Sequence, residues 1–237
     1  MADAAVVELE PVEDFVKGLE ADIMIPGRNL SEHPLIEKLN NKELTLGQIE
    51  GLMSQVYRQT CEVVRWLGAI YAKCDDMQIR RELFNNLLEE ELGGFSNTDA
   101  HFHLAAKVAV AAGADRPALD SVTLEPRTKS IIDYGDELCY RDPSWIKPFG
   151  AFFGFEYQSP KAYGMIAEAL QKSYGMSDDE VLFFSVHVTA DEDHGDSIVR
   201  VFEQYADTQE IRDQLRECSN TYAELYYGML STYDAYH

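Results

Sequence analysis

The sequence predicts an all-α fold, a single bundle of about seven or eight helices. Three observations carry that reading. Helix-start and helix-stop signals recur along the chain, the apolar residues between them fall at helical spacing, and the alternation of strands joined by hairpin turns is nowhere found. No internal repeat or low-complexity tract interrupts the pattern.

Met1–Glu13 is acidic, lacks the basic stretch of a targeting sequence, and reads as a loose lead-in to one domain spanning residues 1–237. Thr45 followed by Gln48 forms a capping box, in which each side chain satisfies the other's backbone N–H. It opens a long helix through Lys73, with Ile49, Leu52, Met53, Val56, Val63, Leu67 and Ile70 at helical spacing. Asp75 with Gln78 opens the next, which carries Ile79, Leu83, Leu87 and Leu88 and stops at Gly93-Gly94, since glycine tolerates the left-handed turn that ends helices. A further helix runs from about Thr98 to the glycine stop at Gly113. Pro126 suits a first helical turn, where its missing N–H costs nothing. Pro143 and Pro148 flank the start of one long helix ending near Gly175. Ser177 with Glu180 caps a helix continuing to about Tyr205, and Asp207 with Glu210 caps the last, through Tyr227.

Apolar residues make up 46% of the chain and aromatics 11%, enough for a sizeable core. The formal net charge of −22 argues against nucleic acid, because phosphate contacts need clustered Lys and Arg, and equally against an anionic membrane surface. No stretch approaches the roughly 20 apolar residues of a membrane span. Cys61, Cys74, Cys139 and Cys218 are scattered without a CxxC pair and read as reduced thiols, which together with the absent signal peptide predicts a cytoplasmic protein. The partner expected of such a chain is a small-molecule substrate.

The segment richest in chemistry runs from Phe183 to His194. At about 100° per residue, His187, Asp191 and His194 fall on one helical stripe, while Glu192 and Asp193 point elsewhere. Phe184, Val188, Ala190 and Ile198 flank the stripe, so it projects toward an apolar interior. Burying imidazoles and a carboxylate together is costly unless they pair or bind a metal. A hydrogen-bonded core network would use the same stripe. Imidazole and carboxylate also suit Fe, Mn or Zn, and helical bundles build such sites from facing helices. Glu156 lies alone in the apolar run from Gly150 to Gln158, and charges are rarely buried there without a partner. Glu90 closes Asn85–Glu91 just before the double glycine, where a carboxylate opposes the helix dipole. His101 follows at the start of the next helix.

The order of these pieces resembles the haem-oxygenase-like diiron oxidases. The similarity covers roughly residues 30 to 235, including Lys42–Gln48, Cys74–Asp76, Asn86–Glu91, Phe155–Pro160 and His187-x3-Asp191-x2-His194. It implies a haem-oxygenase-like bundle holding two Fe(II) ions through Glu90, His101, Glu156, His187, Asp191 and His194, with O2 as co-substrate. Counting along the helix from Asn86-Leu87 selects Glu90 over Glu91, although the longer loop to His101 leaves either open. His103 points away from His101 and reads as a surface or core histidine. Glu62, the acidic residue in the second half of the Thr45–Lys73 helix, is a seventh ligand or a contact to a substrate amine.

The resemblance implies an O2-dependent oxidoreductase acting on an external substrate, an amino acid or amine. The outcome would be N-oxygenation, or oxidative C–C cleavage and rearrangement to a nitrile or alkene, in a biosynthetic setting. It admits a homodimer and an external electron donor. Glu62, Arg65 and Trp66 are the expected substrate contacts, Glu62 for an ammonium and Arg65 for a carboxylate. One branch of the family consumes its own tyrosine and needs a lysine near the metals; the aligned positions here are Ile36 and Ile166, so that chemistry is not expected. The alternatives are a fatty-acid oxidative decarboxylase of the same family and a metal-free, thiaminase-like hydrolase with Cys139 as nucleophile.

Overall fold

The computed structural model describes residues 9–237, with the backbone alone for 189–196. Ten α-helices form among the described residues: α1 (Val12–Ile23), α2 (Pro34–Asn40), α3 (Leu46–Lys73), α4 (Met77–Leu92), α5 (His101–Ala111), α6 (Pro126–Asp136), α7 (Lys147–Glu156), α8 (Ser159–Tyr174), α9 (Leu182–Tyr205) and α10 (Gln209–Leu230). No strand occurs among them, so the all-helical expectation holds. A π-helical turn, Glu137–Arg141, extends α6.

The capping box of Thr45 and Gln48 forms as expected, with N–H to side-chain distances of 3.0 Å in both directions. Two other starts lie one residue later than the sequence suggests. Asp76, not Asp75, accepts from the N–H groups of Gln78 and Ile79, and Thr208, not Asp207, accepts from Ile211. Ser177 and Glu180 do bond each other reciprocally, but they close a separate turn, because Val181 leaves helical geometry (φ −101°, ψ 7°) before α9 begins.

The bundle has more helices than expected for two reasons. The short helices α1 and α2 start without an Asp, Asn, Ser or Thr cap, Pro11 and His33 standing at those positions. In addition, the single helix expected to end near Gly175 is divided into α7 and α8. Pro160 has no N–H to offer the carbonyl of Glu156. The Ser159 hydroxyl donates to that oxygen instead, at 3.2 Å. The Gln158 side chain fills the break, donating to the Gly154 carbonyl at 2.7 Å and accepting from Leu30 N–H at 2.8 Å. The lead-in expectation for Met1–Glu13 falls largely on residues 1–8, outside the described residues, while α1 already includes Glu13.

Two glycine features place the functional residues. Gly150 and Gly154, one turn apart on α7, let that helix lie close on α10; a Cβ on Gly154 would stand 2.3 Å from the Ser219 carbonyl oxygen. Glu156 is thereby held at the inner end of α7. Gly93 ends α4 with φ +59°, and a Cβ there would stand 2.5 Å from the Thr98 carbonyl oxygen. The chain can therefore fold back on the end of α4 and bring α5 round beside it. Around this frame Phe15, Trp66, Phe153, Tyr163, Phe183 and Phe202 are fully buried, each contributing about 1.5–3 kcal/mol of hydrophobic stabilisation. No helix among the described residues is long and apolar enough to cross a membrane.

Candidate metal centre

Three helix ends converge in the interior. Glu90 occupies the last turn of α4, His101 is the first residue of α5, and His187 lies in the second turn of α9. His101 is 0% exposed, and Glu90 and His187 are 6% exposed. His101 Nδ1 stands 2.9 Å from Glu90 Oε1, and His187 Nε2 stands 4.0 Å from the same oxygen. The three ligand atoms all lie within 4.8 Å of one another.

The outer nitrogens decide which atoms are available. His187 Nδ1 lies 2.6 Å from the Phe183 carbonyl oxygen, which can only accept, so this nitrogen carries the proton and Nε2 keeps its lone pair. His101 Nε2 lies 3.2 Å from Glu89 Oε1, also an acceptor. Its Nδ1, though close to Glu90, makes no hydrogen bond of acceptable geometry. Such a buried nitrogen, aimed at a carboxylate and a second imidazole, fits a metal ion between them. Burial by itself would pull the His101 pKa down, but the carboxylates of Glu90 and Glu89 outweigh it and raise the value above that of a free imidazole.

Glu156 lines a cavity of about 790 Å³ beside this cluster. Its apolar walls include Leu67, Leu83, Phe149, Phe152, Leu182 and Val186, and Glu89 shares its inner surface. Arg200 and Glu82 also line it, paired across α9 and α4 at 3.3 Å. Of the adjacent glutamates, Glu90 is buried in the cluster whereas Glu91 is exposed. His103 is half-exposed and pairs with Asp99 at 3.1 Å. The side chains of Asp191 and His194 lie outside the described residues.

The expected substrate contacts sit elsewhere. Arg65 and Glu62 pair with each other at 3.3 Å, Arg65 largely exposed, and neither lines the cavity. Trp66 is fully buried and donates its indole N–H to Asp136 at 3.0 Å. Of the residues that line the cavity, Glu156 and Asn86 lie in the stretches singled out above, whereas Arg200 and Glu82 belong to no motif. Glu89 was equally hidden, because three successive glutamates look like a solvated helix end. The double glycine that folds the following loop onto that end was the available signal. Cys139 lies buried in the π-helical turn, and burial pushes its thiol up to about 12, far from the thiolate a nucleophile needs. Ile36 and Ile166 are both buried in apolar surroundings.

Comparison with known proteins agrees with this geometry. Residues 50–227 match a family described as iron-containing redox enzymes. A 4-aminobenzoate synthase of Nitrosomonas europaea is 29% identical over 201 residues, covering 81% of this chain and 80% of that protein. A 4-chloro-allylglycine synthase of Streptantibioticus cattleyicolor is 23% identical, over 87% and 77% of the two chains. Among solved structures, a protein of unknown function with a haem-oxygenase-like fold from Shewanella denitrificans superposes with a TM-score of 0.72 at 18% identity, covering 98% of this chain and 94% of that one.

Proposed function

The chain belongs to the iron-containing redox enzyme family, and from that premise we propose an O2-dependent oxidoreductase that holds two Fe(II) ions and oxidises a small external substrate. The observation that carries this reading is the convergence of Glu90, His101 and His187, two of them imidazoles whose outer nitrogens are already engaged. Glu156, Asp191 and His194 complete the proposed ligand set. Iron held there would supply the oxidising chemistry of O2 at a substrate C–H bond or amine. The chain's own residues bind and orient. Phe149, Phe152, Leu83 and Val186 give the cavity an apolar wall, Arg200 can receive a carboxylate, and Glu82 and the inner acids can receive an ammonium.

An amino acid or amine is the substrate this lining favours, and the amino-acid product named for the relative 4-chloro-allylglycine synthase supports it. N-oxygenation and oxidative cleavage to an alkene or nitrile are the matching reaction classes, with an external electron donor wherever the substrate supplies too few electrons. Ile36 and Ile166 offer neither phenol nor amine, so a reaction that consumes the protein's own tyrosine and lysine at those positions is not proposed.

Anaerobic titration with Fe(II) tests the metal reading. About two irons per chain are expected, with a marked loss in His187→Ala and Glu90→Ala. Failure of the wild type to take up iron, or full uptake by both variants, would refute it.

A further inference from the structure

Glu89 has no part in the proposed ligand set, yet it is among the best-held acids in the molecule. Its side chain is 5% exposed. Oε2 accepts the backbone N–H groups of Phe95 at 2.7 Å and Ser96 at 3.1 Å, and Oε1 lies 3.2 Å from His101 Nε2. Successive residues on a helix diverge by about 100°, so Glu89 and Glu90 cannot present to one point. Instead they take the two nitrogens of a single ring, Glu89 at Nε2 and Glu90 at Nδ1.

We infer that Glu89 is the positioning residue of the metal centre: it fixes His101 in the tautomer that leaves Nδ1 free for the metal. The inference rests on the metal reading above. An ionised carboxylate only accepts, so the ring nitrogen facing it must carry a proton. Both oxygens are already engaged, so ligation by Glu89 itself would strand the ring N–H if through Oε1, or the N–H groups of Phe95 and Ser96 if through Oε2. The same carboxylate thereby joins His101 to Phe95 and Ser96, loop residues that line the cavity.

Glu89→Gln discriminates. A glutamine can offer its oxygen to Phe95 and Ser96 only by turning its NH2 toward His101. The ring must then accept at Nε2, and its proton moves to Nδ1, where it blocks the metal. With the full-length protein and Fe(II) as probe, Glu89→Gln should weaken one of the bound irons about 10- to 100-fold. In the metal-free protein, above the imidazole titration, nitrogen-resolved NMR should show His101 protonated at Nε2 in the wild type and at Nδ1 in the variant. Glu89→Asp retains an acceptor and should keep the wild-type tautomer, which covers the case in which the glutamine variant does not fold. An unchanged tautomer or unchanged iron affinity in Glu89→Gln overturns the inference, as does a tautomer change in Glu89→Asp. If the wild type binds no iron, the metal reading falls, while the NMR comparison still decides whether Glu89 sets the ring.

Discussion

Acid should loosen this protein at a histidine outside the Glu90–His101–His187 cluster. His33 is 2% exposed and caps α2: its Nδ1 accepts the N–H of Leu35 at 3.0 Å. Its Nε2 lies 3.0 Å from the Tyr227 carbonyl and 2.9 Å from the Ser231 hydroxyl, joining α2 to the end of α10. Because Nδ1 accepts, the single proton belongs on Nε2, and a second proton would turn the cap into a donor facing a donor. Burial is the main reason the His33 pKa falls from 6.5 to about 4, with Arg127 lowering it further and the Tyr227 carbonyl opposing. Below about 6.5 the unfolded chain takes up a proton that the folded chain refuses. The stabilisation is therefore complete above that pH, declines as pH falls, and is exhausted near 4. At about 1.4 kcal/mol per pH unit, the loss is about 3 kcal/mol, a large share of a typical folding stability of about 5–15 kcal/mol. Urea unfolding of the wild type and His33→Asn at about pH 7.5 and about pH 4 measures it, since asparagine caps a helix but does not titrate. The stability difference between the two proteins should shrink by about 3 kcal/mol on acidification, while carboxylate effects common to both cancel. A difference independent of pH would refute the argument.

Gly154→Ala should destabilise by about 1–3 kcal/mol in urea, because its Cβ must displace the Ser219 carbonyl, and it should also weaken iron binding by shifting Glu156. Gly228→Ala, in the same measurement, should be neutral or stabilising by up to about 1 kcal/mol, since nothing lies within 4 Å of its added Cβ. Glu90→Ala should lower iron content in elemental analysis while Glu91→Ala leaves it intact, and Asp191→Ala should be more damaging than Asp193→Ala on helical phase alone.

What the sequence revealed follows the range of each interaction. The Thr45 box and the Gly93 stop are settled within four residues, so they could be read directly. Helix α2 was hidden because its cap is an imidazole whose protonation state depends on α10, nearly two hundred residues away. The break between α7 and α8 has a local signal in Pro160, but the bond from Leu30 that stabilises it through Gln158 is again a tertiary event. Residue type and order pointed to Glu90, His101 and His187, which the fold does bring together. Glu62, Arg65 and Trp66 do not line the cavity, because the side a residue of α3 faces is set by its neighbours: Trp66 packs in the core against α6, and Glu62 and Arg65 pair with each other.

The paired glutamates at the end of α4 show why burying so much acid beside one cavity is tolerable. At an effective dielectric of about 20, two like charges 4 Å apart repel by about 4 kcal/mol, so adjacent buried carboxylates need separate means of compensation. Glu89 has the backbone N–H groups of Phe95 and Ser96 to accept from. Glu90 faces His101 Nδ1, and its proximity helps raise the affinity of that ring for a proton. A cation held between Glu90, His101 and His187 would offset the same carboxylate charge. On the proposed metal reading, an ion held by Glu90, His101 and His187 would take the place of a proton at His101 Nδ1, and Glu89 would keep the ring turned for that exchange.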